Sequence, residues 1–282
     1  MTHLEHCKGR FRNVAALVVS CDNYSDIWPI FFSLYRKFWP DNPLEKTYLL
    51  TNFLEPYYEG VEIIGVGEDV SWSDNLAAAL LRIEEEYILL LLEDLLLTDY
   101  VNAKSFEELL NWSLERSVNY MRFNPSTPPD KIIAPNVGVA SEGAVYRASV
   151  VAALWKKDVL LALLKSGENA WEFETHGSIR SDAYPDFYSA VRNTFPIINS
   201  IVKRVWERSA LRKLRRLGVK VDLSSRPVAS LGGEIIWKLK LLRSKIFSLV
   251  PHRLRRTVKR FFRRGDYYSG GSAHEQNKKT VV

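Results

Sequence analysis

The residues Tyr87–Leu92 form an apolar run that stops abruptly at Glu93 and Asp94. Two carboxylates at the mouth of a buried segment are hard to place in a core. They suit a ligand site at the end of a buried strand. The bland alternative is that one of them caps the next turn. A second group lies downstream, where Glu168, Trp171, Glu172, Phe173, Glu174 and His176 fall within eleven residues. A carboxylate there can act as general base toward a hydroxyl, or the acids can simply favour a helix start. His176 is a candidate metal ligand with Glu93 and Asp94, against the plainer reading of an uninvolved histidine. Trp171 is either a stacking surface for a ligand or core. Arg147 and Arg180 are candidates to pair with phosphate. A third group, Ser20-Cys21-Asp22-Asn23, follows the apolar run Val14–Val19. It either lines a ligand site at the strand end or forms a turn that satisfies its own backbone.

These groups need elements to position them. Val14–Val19 reads as a buried parallel strand, followed by a helix over Ile27–Phe38. Thr47–Leu50 and Val61–Val66 are further strands. Ser71 or Ser73 caps a helix through Leu76, Leu80 and Ile83. Tyr87–Leu92 is the most apolar strand. Ser105-Phe106-Glu107-Glu108 reads as a capping box opening a helix to about Arg116. Val118–Phe123 is another strand, Asn124–Glu142 a proline-bearing loop region, and Ala144–Trp155 extended at first. Asp158–Lys165 reads as a helix that Gly167 ends. Phe195–Arg226 reads as an amphipathic helix that closes one side of the site. Strands alternating with helices at this spacing predict an α/β fold with a mainly parallel sheet, whose ligands bind at the carboxyl ends of the strands. The sequence has no GxGxxG after the first strand, no GxxxxGK[ST] and no GxSxG, so dinucleotide, P-loop and serine-hydrolase chemistry lack support.

The chain has 282 residues, with 46% hydrophobic and 26% charged, which excludes disorder throughout. No apolar run approaches the roughly 20 residues of a membrane-spanning helix. The first twelve residues lack an apolar signal core. Cys7 and Cys21 make no disulfide framework, and the expected compartment is the reducing cytoplasm. The net charge of +6 conceals a division. Residues 1–200 carry 17 Lys/Arg against 28 Asp/Glu, net −11, whereas residues 201–264 carry 20 against 3, net +17. Such asymmetry predicts an anionic partner. From Ile235 apolar residues recur at spacings of three and four between cations. A second segment after Pro251 places Phe261 and Phe262 beside Arg255, Arg256, Lys259 and Arg260. This pattern fits a helix lying in a membrane interface, anchored by Trp237, Lys238, Lys240, Arg243 and those later residues. Packing on its own domain or on a second copy is the alternative. No nucleic-acid module is present. Residues 265–282 read as a disordered tail.

The body also resembles a nucleotide-sugar glycosyltransferase of the GT-A type, related to family-2-like enzymes of bacterial surface-polysaccharide gene clusters. The resemblance covers about residues 14–226. Val-Val-Ser-Cys-Asp-Asn-Tyr (18–24) resembles the first strand and base-binding loop. Trp-Ser-Asp-Asn-Leu (72–76) with Tyr-Ile-Leu-Leu-Leu-Leu-Glu-Asp (87–94) resembles the helix and strand that deliver the acidic metal motif. Tyr-Arg-Ala-Ser (146–149), Leu-Trp-Lys-Lys-Asp-Val-Leu (154–160) and Glu-Asn-Ala-Trp-Glu-Phe-Glu (168–174) resemble the acceptor-side segment with its catalytic carboxylate. The departure is that the usual Asp-x-Asp is replaced by Glu93-Asp94, one acid short.

The resemblance implies a GT-A-like (Rossmann-like) domain over 10–230, to which the residue pattern adds a basic amphipathic helical extension over 231–264 and the tail. It implies donor contacts from Ser20, Asp22, Asn23, Trp72, Asp74, Glu93 and Asp94. Glu174 is its first choice of base, then Glu172 and Glu168, with Trp171 and Arg180 on the acceptor side. The implied activity is transfer of a sugar from a nucleotide diphosphate to a lipid-linked or oligosaccharide acceptor. Mg2+ or Mn2+ would assist, with an inverting outcome, on the inner face of the cell membrane; an oligomer is open. The rival readings are a catalytically degenerate membrane scaffold and a nucleotidyltransferase, though Ser20–Tyr24 has neither the glycine nor the base expected of the latter.

Overall fold

The fold is taken from a computed structural model, which describes residues 11–125, 127–230 and 232. The expected extension over 231–264 and tail over 265–282, including Trp237, Lys238, Lys240, Arg243, Arg255, Arg256, Lys259, Arg260, Phe261 and Phe262, lie outside the described residues apart from Gly232.

The first half alternates strands and helices: β1 (Val14–Val19), α1 (Trp28–Phe38), β2 (Lys46–Thr51), β3 (Glu62–Gly65), α2 (Trp72–Leu80) and β4 (Tyr87–Leu92). Then come β5 (Leu95–Leu97), α3 (Ala103–Glu115), β6 (Tyr120–Arg122), β7 (Lys131–Ala134), β8 (Val137–Val139), β9 (Ala153–Lys156) and α4 (Lys157–Leu163). A helical passage follows, made of α5 (Ala170–Glu172), a π-helical turn (Phe173–Gly177) and α6 (Ser178–Arg180). The described chain closes with β10 (Phe187–Ala190), β11 (Ile197–Asn199), β12 (Ile201–Val202), β13 (Val205–Trp206) and α7 (Arg208–Arg216).

Nine strands form one sheet in the order β3-β2-β1-β4-β9-β6-β10-β8-β7. The β3-β2-β1-β4 half is wholly parallel. β9 enters antiparallel between β4 and β6, and β8 runs antiparallel between β10 and β7. The expected α/β sheet with flanking helices holds, with a mixed second half.

Alternate residues of β1 explain why both faces are covered. Val14, Ala16 and Val18 enter a core with α1 and α3; Ala15, Leu17 and Val19 enter a second core with α2 and α4. Each fully buried Val or Leu contributes roughly 1.5–3 kcal/mol, so a continuous apolar strand is stable only with layers on both sides.

Several local expectations change. The helix expected over 195–226 is confined to α7, because Ile197–Asn199 pair antiparallel with β5 and Ile201–Val202 with β13. The proline-bearing 124–142 region contains the β7–β8 hairpin, turned at Asn136 with φ 65°. The cap of α3 is Asn102, whose Oδ1 accepts from Ser105 N–H at 3.0 Å, one turn ahead of the expected Ser105. Of Ala144–Trp155, only the end becomes strand. The Ser71 cap of α2 is present as expected, accepting from Asp74 N–H at 3.1 Å.

Candidate active site at a strand-order switch

β1 has β2 and β3 on one side and β4 on the other. The chain therefore reverses its direction of winding between β1 and β4, and in such sheets the ligand crevice opens at the carboxyl ends of those two strands. The β1 end carries Ser20, Cys21 and Asp22; the β4 end carries Glu93 and Asp94.

Glu93 is buried. Its carboxyl is raised well above the ordinary range, by burial first and then by the Asp94 charge, with the Ser20 hydroxyl opposing. Burial pushes Asp94 up to about 6, against the pull of its own amide and of Arg226. Ser20 Oγ is fixed by Trp28 Nε1, which donates to it at 2.7 Å. The Cys21 thiol is pushed up to about 11, by burial first and then by Asp69 and Glu93. The crevice is thus anionic and desolvated, an environment whose balance a cation would restore.

Asp22 has a constructional role. Its carboxylate accepts from the backbone N–H groups of Asn52 (2.9 Å), Phe53 (2.9 Å) and Leu54 (3.1 Å), while Asn52 Oδ1 accepts from Asp22 N–H (3.1 Å). It joins the β1 and β2 ends. Asn23 is exposed beside it. Asp74 accepts from the Ser71 hydroxyl (2.5 Å) and from Gly167 N–H (3.0 Å), and these bonds hold its carboxyl below the ordinary range. With Ser73 N–H donating to Glu168 O (3.1 Å), Asp74 ties the start of α2 to the segment that opens α5. Trp72 packs on Phe173 at 5.4 Å between ring centroids.

The downstream acids divide by role. Glu168 is buried and paired with Arg180, Nη1 to Oε1 at 2.8 Å and Nη2 to Oε2 at 2.5 Å, and His176 Nδ1 lies 3.1 Å from Oε1. Burial raises its carboxyl, but Arg180 and His176 outweigh that and hold it low. Both of its oxygens are engaged, so it holds this segment together. Arg180 also donates to Leu163 O at 2.9 Å, which commits it to the pair. Glu172 closes a capping box with Asn169, accepting from Asn169 N–H at 3.0 Å. Glu174 sits in the π-helical turn, a deformation common at functional sites. Its Oε1 accepts from Ser149 Oγ (2.8 Å) and Val150 N–H (3.1 Å). Ser149 O and N–H are both bonded to the Tyr120 hydroxyl (3.1 and 3.2 Å), and Val150 packs in the core shared with α2 and α4, so Glu174 is anchored to the segment leading into β9 on that face of the sheet. Trp171 is 61% exposed, which removes it from the core.

His176 does not join the strand-end acids as a ligand. It is bonded to Glu168, and among the described residues no group of three or more His, Cys, Asp or Glu side chains comes together to hold a metal. Arg147 is likewise committed, buried and donating to the carbonyls of Ala140, Ser181 and Tyr184. It lines a cavity of about 490 Å3 with Ile133 and Tyr188, to which none of the strand-end acids contributes.

The sequence reading missed Arg226. It is 5% exposed and reaches back 200 residues to bind Asp26 through Nη2–Oδ1 (2.9 Å) and Nε–Oδ2 (3.1 Å). It also donates to Asn23 O (2.9 Å) and lies 4.6 Å over the Tyr24 ring. Its charge is felt at both Glu93 and Asp94. One among many arginines in a basic stretch, it has no local signal except its place between Ser225 and Pro227, where no helix continues.

No family model matches the chain, and no curated protein matches it. Among solved structures, residues 1–349 of TarS from S. aureus are 10% identical over 63% of this chain, with a TM-score of 0.40; the chain spans 60% of that structure. The UTP-bound UGPase from Acinetobacter baumannii is 13% identical over 82% of this chain and 99% of its own, at 0.48. The mannosyltransferase PcManGT from Pyrobaculum calidifontis, in complex with GDP-Man and Mn2+, is 12% identical over 94% of this chain and 78% of its own, at 0.45. All three scores lie below 0.5, so the case for a nucleotide-sugar site rests on this chain's own geometry.

Proposed function

We propose that this chain is a glycosyltransferase that moves a sugar from a nucleotide diphosphate to a glycan acceptor, lipid-linked, at the inner face of the cell membrane, with inversion. The observation that carries the reading is the desolvated Glu93–Asp94 pair at the β1/β4 switch. The acceptor hydroxyl attacks the anomeric carbon and its proton passes to Glu174. The bond to the diphosphate breaks, and its electron pair leaves on a phosphate oxygen. Glu174 is fixed for this by Ser149 and Val150, and Trp171 offers an exposed ring face to a sugar.

The residues present fit a divalent cation, Mg2+ or Mn2+, in one specific way. Glu93 and Asp94 are adjacent, desolvated and short of counter-charge, and such ions are commonly bound by one or two carboxylates plus substrate phosphates. The cation would supply charge neutralisation for the leaving diphosphate. The acceptor segment is organised by the Glu168–Arg180–His176 cluster, with Glu172 capping its first turn. The membrane part of the proposal rests on the cationic, apolar-striped sequence 231–264.

The test is thermal stability of the purified protein against a panel of nucleoside diphosphates, with and without Mn2+ or Mg2+. A nucleotide at 100 times its dissociation constant adds about 2.7 kcal/mol. The expected result is a shift with one base that depends on metal and is lost in Asp94→Ala. A metal-independent shift would keep the transferase and remove the cation. No shift with any nucleotide would favour a membrane-bound scaffold instead.

A further inference from the structure

Residues 203–220 carry eight Lys/Arg and one acid, Glu207, which is buried. Helix α7 shows why these cations face outward. Ala210 and Leu214 are buried, and Leu211 and Leu217 pack against the same core, so the apolar side of the helix is already occupied by its own domain. Arg212, Arg215 and Arg216 lie on the exposed remainder, and Lys220 follows them. The end of α1 adjoins this face, because Lys37 Nζ donates to Leu217 O at 3.5 Å; Arg36 and Lys37 are both exposed. Two helix carboxyl ends, each carrying exposed cations, therefore adjoin. Complementing the helix dipoles needs only one or two charges in each last turn, and this surface carries more.

The rest of the molecule decides how such a surface is used. Residues 1–200 have a net charge of −11, so the chain has one basic pole on an acidic body. A polyanionic plane attracts that pole and repels the remainder, which sets orientation as well as affinity. The sequence continues into residues 231–264, with eleven more Lys/Arg, one acid, and apolar residues between them up to Phe261 and Phe262. Cations combined with an apolar stripe match a bilayer interface, which accepts both. A nucleic-acid backbone would leave the apolar stripe unsatisfied.

We infer that the exposed face of α7, with the adjoining end of α1, is an electrostatic docking surface for an anionic membrane. It goes beyond residues 231–264, and it seats the folded body with its basic pole toward the lipid. This rests on the membrane part of the proposed function and is independent of the transferase part, so the nucleotide panel can fail without affecting it. The test is flotation of the full chain with phosphatidylcholine vesicles containing about one third phosphatidylglycerol. The variant R212Q/K213Q/R215Q/R216Q should partition at least about ten-fold more weakly at low salt. K104Q/K131Q, which removes two exposed lysines elsewhere, should bind like the parent. An unchanged melting temperature establishes that the four-fold variant is folded; if it is not, R215Q/R216Q alone should still weaken binding several-fold. Partition of either folded variant within two-fold of the parent would overturn the assignment. So would loss of binding to an oligonucleotide with vesicle binding intact, which would give the surface to nucleic acid.

Discussion

Glu93 is buried and Asp94 stands half-buried beside it, and the Arg226 guanidinium opposes the upward shift of both carboxyls. The Asp94 carboxyl is raised from 3.8 to about 6, so its contribution to stability is complete below about pH 4 and is lost as pH rises through about 6. Without divalent ion, Asp94→Asn should therefore raise stability at pH 7.5 by roughly 1–3 kcal/mol and change little at pH 4.5. Denaturant melts at the two pH values check this. Mn2+ should stabilise the parent at pH 7.5 and lose that effect below about pH 6, as protons compete for the pair. If the variant were less stable than the parent at pH 7.5, the desolvated-pair reading would fail.

Helix α3 shows how a local signal can be right in kind and displaced in place. Ser105-Phe106-Glu107-Glu108 has the composition of a capping box, yet Asn102 supplies the cap and Ser105 supplies the amide that it accepts from. The Ser105 hydroxyl instead accepts from Asn136 Nδ2 at 2.9 Å, joining α3 to the β7–β8 turn. Asn102→Ala should cost about 1 kcal/mol in a denaturant melt. The same comparison marks the α5–π–α6 passage: Asn169 and Glu172 announce its start in sequence, while the π-helical turn that presents Glu174 has no sequence signature.

At the scale of the molecule, the segment around Arg226 is a strap. Trp206 N–H donates to Pro227 O (2.8 Å) and Ala229 N–H to Trp206 O (2.9 Å), so residues 226–229 lie along β13 and deliver Arg226 to the loop after β1. Arg226→Met would leave Asp26 without its partner and free the Asn23–Asp26 loop. The expected cost is about 2–4 kcal/mol, read as a lower melting midpoint. Nucleotide affinity should fall by at least ten-fold, with Arg226→Lys intermediate because one ammonium cannot reproduce the bidentate geometry. Retention of full nucleotide affinity in the methionine variant would separate the strap from the donor site.

Much of this architecture is written in local sequence. The apolar run Val14–Val19 becomes β1 with the same limits, Tyr87–Leu92 likewise becomes β4, and the abrupt stop at Glu93-Asp94 marks the crevice. Those features are legible because period, length and polarity act between near neighbours. The antiparallel entry of β9, the hairpin inside 124–142 and the strands inside 195–206 are settled by pairing between distant segments, which local propensity does not encode. The division of labour among the acids is also tertiary. Glu168 and Glu174 look alike in sequence; Arg180 engages one, and the Ser149 hydroxyl with the Val150 N–H positions the other. Arg226 is the clearest instance: its charge is visible in the chain, but only folding brings it across 200 residues to Asp26, where burial makes that charge matter.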